Sequence, residues 1–245
     1  RVTGPLQLAS YDELRQTHVV VDPLRLPLSL VRPFQTTLPL LWIAGDDWLR
    51  HERVWVPFQL VHTAYTTRMR WDLVGFAVSS TGLASGNHVL GAVGHALCEI
   101  VERAASARFA ARRDDEREAR RLDLRTVDDA DCLAVLERYG RAGVDVAVWD
   151  VTSHVGFAPF ECLIAEHGDD PNRMLSSARG MGCHPTRQVA LLRALTEAAQ
   201  SRLTIIAGSR DDMGRATYAA WRDPANSARW RYEAADRGCV QFASV

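Results

Sequence analysis

The chain has 245 residues, 47% of them hydrophobic, 24% charged and 8% aromatic, the balance of a folded protein with one large domain or two small ones. Its 29 cationic and 30 acidic residues leave a formal charge of −1, so no global basic field draws it to nucleic acid or anionic lipid. Every cation is an arginine, which excludes P-loop NTPases, protein kinases and enzymes that supply their own Schiff-base lysine.

In chain order, the first 70 residues are rich in proline and aromatic side chains. Short β-like runs, Val19–Val21 and Leu40–Ile43, stand among Pro23, Pro27, Pro33 and Pro39 and predict loops and edge strands. Phe76–Val78 predicts a buried strand running into a small-residue loop, Ser79–Gly86. Leu90, Val93, Leu97, Ile100 and Val101 recur at helical spacing and predict a long helix over roughly 88–113. The mixed-charge run Arg112–Arg121 reads as a solvated helix end or loop, and Asp128–Gly143 as an amphipathic helix. Val144–Val151 and Phe157–Ala165 predict partner strands, 176–183 a second small-residue loop, and about 185–203 a further helix. A polar turn after Gly208 leads to a tail carrying Trp221 and Trp230. Helices and strands alternate without a repeat or a regular βαβ rhythm, so the fold class is α+β, mixed sheets packed with helices.

No run of 18 apolar residues predicts a membrane span, and nothing near Arg1 reads as a signal peptide. A start on Arg1 instead of Met predicts a fragment of a longer protein. The cysteines, Cys98, Cys132, Cys162, Cys183 and Cys239, are odd in number and lack a CxxC pair. They argue for reduced thiols in a cytoplasmic protein.

Glu99 and Glu102 lie three apart on the long helix, with Cβ atoms about 5–6 Å apart, so the carboxylates repel unless a cation or a raised pKa relieves them. Leu97, Ile100 and Val101 predict that part of this turn is buried. Two readings stay open: acids at the solvent edge paired with Arg103 and other arginines, or hard oxygen ligands for Mg²⁺. Glu197 and Gln200 repeat the spacing on the later helix, where a surface pair of Arg193 with Glu197 explains them equally well. Each helix follows a glycine-bearing loop, an arrangement suited to anions. In Gly208–Met213, Arg210 beside two acids is either a salt-bridge partner or a bidentate phosphate contact. His88, His95 and His184 fall near these loops without an HxxxH or Ser–His–Asp pattern, and read as structural or surface residues.

Ser80–Asn87 followed by Leu97–Ala104, and Ala190–Arg202 ending in Gly208–Asp212, resemble the YcaO family. Asp150–Ser153 and Gly180–His184 stand between them as further landmarks, and the resemblance spans roughly residues 35–215. It implies a single YcaO-type domain with a nucleotide-binding core over 71–215, behind the proline-rich region 1–70. The implied activity is ATP-dependent activation of a peptide backbone amide. A nucleophile adds to the carbonyl, ATP phosphorylates the oxyanion, and phosphate leaves. A side-chain nucleophile gives an azoline (a cyclodehydratase), and sulfide delivered with a TfuA-type partner gives a thioamide, which the Gly208–Asp212 stretch favours. The implied cofactors are ATP and Mg²⁺. Glu99, Glu102 and Glu197 would hold the metal, with Gln200, Arg210 and His95 completing the nucleotide site; His95 stands where the family commonly has serine. The resemblance further implies a ribosomal precursor peptide or protein as substrate, a homodimer, and no nucleic-acid or membrane partner. It also implies that the N-terminal part of the family domain and a proline-rich C-terminus are missing. A non-catalytic peptide-binding module of the same family is the alternative.

Overall fold

The computed structural model describes residues 4–31, 33–62, 75–153, 155–166, 177–208, 214–221, 224–235 and 238–245. It divides into two compact units, Arg1–Leu83 and Ala84–Val245.

In the first unit, β1 (Leu6–Ala9), β2 (Leu40–Asp47) and β3 (Glu52–Pro57) form an antiparallel sheet in that order. The edge-strand expectation fails for β2, which is central: Pro39 precedes it, and Pro57, opposite Trp42, is confined to the last position of β3. A short helix, α1 (Tyr11–Leu14), starts on a capping box between Ser10 and Glu13. Leu14, Leu40, Trp42, Trp55 and Phe76 make the core, and Trp42 Nε1 donates to the Ala9 carbonyl at 2.9 Å. The expected strand at Phe76–Val78 is reduced to an isolated bridge between Leu28 and Phe76, with Phe76 buried and Val78 exposed.

In the second unit, helix α2 (Val89–Ala110) is capped by His88, whose Nδ1 accepts the Leu90 N–H at 3.1 Å. Then come α3 (Asp114–Glu118), α4 (Ala130–Arg141), β4 (Val144–Asp150), β5 (Ala158–Glu166), β6 (Ala178–His184) and α5 (Arg187–Ala207). The tail after Gly208 contains two helices, α6 (Arg215–Trp221) and α7 (Pro224–Ala234). The sheet is antiparallel in the order β4-β5-β6 and carries helices on both faces. Val144, Val148, Phe160, Cys162 and Ile164 pack with α4 and α5 on one side. Ala147, Trp149, Leu163 and Ala165 pack with Ala105 and Phe109 of α2 and Ala234 of α7 on the other. This alternation follows from the period of two along a strand, and burial on both faces explains why β5 reads as an apolar run.

Over 178–183 the expected loop is instead strand β6; residue 176 lies outside the described residues. Its small residues serve packing: a Cβ on Gly180 would fall 2.1 Å from the Ala198 nitrogen, and one on Gly182 2.1 Å from the Ala190 carbonyl oxygen. Ala190, Ala194 and Ala198 line the facing side of α5, so the helix lies almost against the strand backbone.

The charged run is only partly solvated. Arg121 is 2% exposed. Its Nε lies 2.6 Å from Glu118 Oε1, its guanidinium sits 4.7 Å over the Trp149 ring, and it donates to the carbonyls of Glu233 and Ala235. A buried arginine persists here because backbone acceptors, a carboxylate and an aromatic face all meet it.

Candidate active site

A cavity of about 330 Å³ opens in the second unit, lined by residues of α2, β6 and α5. From α2 come His95, Cys98, Glu99, Glu102 and Arg103; from β6, Met181 and Cys183; from α5, Arg193, Thr196, Glu197 and Gln200. The spacing explains the convergence. Positions 95, 98, 99 and 102 form one stripe of α2, and 193, 197 and 200 one stripe of α5.

Packing decides how deep each group sits. On α2 the buried positions are Cys98, Ala105 and Phe109, and Glu102 falls in the same stripe. Part of this turn is buried as expected, but through Cys98 and not through Leu97 and Ile100, which are 54% and 47% exposed. The face of α2 turned to the sheet is therefore small and polar at this turn, and it carries a carboxylate inward. On α5, Ala194, Leu195 and Ala198 are buried against the sheet, and Glu197 stands beside them toward the cavity.

β6 is the edge strand of the described sheet, and side chains from α5 meet its outward backbone groups. The Met181 backbone N–H favours the charged form of the Glu197 carboxyl, and Arg193 Nη1 donates to the Cys183 carbonyl at 3.1 Å. Arg103 lies 3.7 Å from Glu99, one turn along α2.

These groups are crowded with negative charge. Burial pushes the Glu102 carboxyl up to about 7, Glu197 and Glu99 push it further, and Arg103 and Arg193 pull it back. Glu197 is raised as well, first by loss of water around its carboxyl; the Met181 N–H and Arg103 oppose the shift, and Glu99 adds to it. Burial also drives the Cys183 thiol up to about 12, with Cys98 and Glu102 contributing. The cavity thus holds more carboxylate than its arginines neutralise, a donor set suited to a divalent cation. Among the described residues no three His, Cys, Asp or Glu side chains stand close enough to cage a metal alone. A cation held here would complete its shell with phosphate oxygens and water, as Mg²⁺ commonly does.

Of the residues singled out in the sequence, His95, Glu99, Glu102, Glu197 and Gln200 all line this one cavity. Arg210 lies outside the described residues. His88 and His184 are turn-forming groups: His184 Nδ1 accepts the Thr186 N–H at 3.0 Å, before α5. Cys98, Cys183, Met181 and Thr196 were not predicted to line the site. Only the stripe spacing from Glu99 and Glu197 carries a signal for Cys98 and Arg193, and β6 was hidden by its glycines.

The chain matches the YcaO family model over residues 1–241, described as YcaO cyclodehydratase, ATP- and Mg²⁺-binding. It is 40% identical over 186 residues to a protein of the tfuA 3′ region in Rhizobium leguminosarum bv. trifolii, covering 74% of this chain and 43% of that protein. The chain spans less than half the length of each of the curated relatives it matches. Two solved structures share its fold. One is a heterocyclase in complex with substrate and cofactor, with a TM-score of 0.68 at 20% identity, covering 93% of this chain and 32% of that one. The other is YcaO from Methanopyrus kandleri bound with AMPPCP and Mg²⁺, with a TM-score of 0.63 at 19% identity, covering 87% and 53%. No helix among the described residues is long and apolar enough to cross a membrane. With an α+β core, a cavity walled by carboxylates of two helices and a family match along nearly its whole length, the chain belongs to the YcaO family, whose cofactors are ATP and Mg²⁺.

Proposed function

We propose that this chain carries the nucleotide site of an enzyme that activates a peptide backbone amide by phosphorylating its oxygen. The observation that carries the reading is the cavity itself, where Glu99, Glu102 and Glu197 from two helices face one space with too little positive charge. Mg²⁺ supplies the missing charge and screens the phosphates during transfer.

Glu99, Glu102 and Glu197 would share Mg²⁺ with phosphate oxygens and water, the three not closing on one ion by themselves, and Gln200 offers a neutral oxygen and an N–H donor at the same wall. Arg193 is held in place by the Cys183 carbonyl, so its guanidinium is fixed before ligand arrives, and fixed charge is what phosphoryl transfer rewards. Arg103, more than half exposed, stands 3.7 Å from Glu99. His95 stands at the same wall with a ring nitrogen for the nucleotide, and Arg210 is a further phosphate contact in this reading. In the reaction a nucleophile adds to the amide carbon, the resulting oxyanion attacks the γ-phosphorus, and ADP departs. Loss of phosphate then leaves the new C=N or C=S bond.

The tfuA-region relative, at 40% identity, favours a thioamide product and a TfuA-type partner that brings sulfide. The fold shared with a heterocyclase supports azoline formation as the second product class. Full-length protein, precursor peptide and Mg²⁺–ATP, with and without a TfuA-type protein and sulfide, decide between them by mass. A thioamide replaces oxygen by sulfur and adds about 16 Da, whereas an azoline loses water. Phosphate release independent of peptide, or surviving Glu102→Gln with Glu197→Gln, would sink the assignment.

A further inference from the structure

A second cavity, of about 290 Å³, opens on the face of the sheet that carries α2 and α7. It is walled by α3, β4 and α7 together with Arg121, and it shares no residue with the carboxylate-lined cavity. Its floor is the buried Trp149, with the Arg121 guanidinium on the ring. Arg229 and Tyr232 stand exposed at its rim.

Two hydrogen-bond donors of this wall are buried without an acceptor among the described residues, the Trp149 indole Nε1 and Arg117 Nε. Folded proteins rarely leave such groups unmet, because a donor stripped of water and given no acceptor is costly. The charges are unevenly matched as well. Glu118 is engaged by Arg121, whose Nε lies 2.6 Å away. Glu233 is shared by Arg179 and Arg229, each at 3.0 Å. Arg117 is left with Asp114, 3.6 Å away and fully exposed, although its own side chain is mostly buried and its guanidinium lies over the Phe109 ring.

We propose that this cavity binds a carboxylate, with Arg117 and the Trp149 indole as its donors and Arg229 at the entrance. The two oxygens of a carboxylate match the edge of a guanidinium and keep lone pairs for an indole N–H. Water would supply acceptors but leave the Arg117 charge unmatched. The volume falls just under the roughly 300 Å³ at which drug-sized pockets begin, so it suits one acidic side chain of a peptide or a small free acid. The carboxylate is common to both, and the site does not depend on the nucleotide reading above.

The test titrates the full-length protein, without nucleotide, by calorimetry. The probes are succinate, a short acetylated peptide carrying one glutamate, and the same peptide carrying glutamine instead. The indole N–H signals are followed by NMR alongside, with that of Trp149 identified by its loss in Trp149→Phe. Succinate or the glutamate peptide should bind saturably and shift the Trp149 signal with occupancy. Affinity should fall roughly tenfold or more in Arg117→Gln, the loss of one charge-assisted contact, and by less in Arg229→Gln. Arg229 is exposed, so its variant keeps the test decisive if Arg117→Gln fails to fold. Tighter binding of the glutamate peptide assigns the site to a peptide side chain, and tighter binding of succinate to a free acid; either upholds it. Equal binding of the glutamine peptide, affinity unchanged in the arginine variants, or no saturable shift with any probe (donors met by water alone) overturns the proposal.

Discussion

Helices α2 and α5 carry similarly spaced oxygen-bearing pairs into the same cavity, Glu99 with Glu102 and Glu197 with Gln200, yet they are attached to the sheet in opposite ways. On α5 three alanines lie against two glycines of β6, so backbone meets backbone. On α2 the contact is made by side chains: Cys98, Ala105 and Phe109, with the Phe109 ring centroid 6.5 Å from that of Trp149. One wall of the site is therefore set by close packing of main chain, and the other rests on a few side chains. The rigid wall presents Glu197 through a strand-edge N–H; the other presents Glu102, whose proton is held by burial. Substitutions that attack each attachment separately should separate these contributions.

The largest effect is expected at the close wall. Gly180→Val places branched carbons where even a Cβ would sit 2.1 Å from the Ala198 nitrogen and 2.3 Å from the Ala194 oxygen. Such overpacking costs about 3 kcal/mol or more, so the variant should be insoluble or melt far below wild type by circular dichroism. A melting point within a few degrees of wild type would mean that α5 moves freely on β6. On the other wall, Phe109→Ala empties a site that is 2% exposed, at a cost of about 3–4 kcal/mol in urea unfolding. Its ATP affinity should fall with the loss of order in α2, whereas the melting point carries the loss at Gly180.

Glu102 separates stability from function. Its carboxyl binds a proton up to about pH 7 in the folded chain, against an ordinary value of 4.5 in the unfolded one. Between those values the folded state holds more protons, so stability falls as pH rises and levels off above 7. The penalty above pH 7 is about 2–3 kcal/mol, and Glu102→Gln removes it. Urea unfolding at pH 5.5 and 8 should show the variant near wild type at the lower pH and more stable at the higher one. Mg²⁺–ATP affinity of the wild type should rise with pH through 7, because the proton competes with the metal, and it should drop at least tenfold in the variant. A variant less stable than wild type at pH 8 would refute the charge-crowded picture of the cavity.

The two helices also differ in how plainly they could be read. The buried face of α5 is Ala190, Leu191, Ala194, Leu195 and Ala198; the helix itself follows from the sequence, but its larger apolar residues Val189, Leu192 and Leu195 draw the face through Val189, which is exposed. On α2 the apolar and buried faces disagree: Val89, Leu90, Leu97 and Ile100 are exposed, while Cys98 and Glu102 turn inward. Counting apolar residues gives the helix its limits within a few positions and gives it the wrong face. β6 was illegible for a third reason. Glycines at 180 and 182 signal a loop when taken locally, and only the alanines across the interface show that they mark a close approach of helix and strand. The carboxylate spacing on the two helices was legible; the part β6 plays in the cavity, through Met181 and Cys183, was not.

Glycine itself gives the smallest test and the clearest contrast in sign. Gly94 lies in the interior of α2, and a Cβ built there meets nothing within 4 Å. Alanine fills such a helical site without strain and reduces the freedom of the unfolded chain, so Gly94→Ala should stabilise by about 0.5–1 kcal/mol. Gly180→Ala is the same chemical change and should destabilise, because its Cβ collides with the backbone of α5. Urea unfolding of the two variants side by side isolates the attachment from the residue type. Opposite signs mean that close approach fixes α5 alone. A loss of stability at Gly94 as well would mean that the sign is set by the helix position and not by close approach to β6.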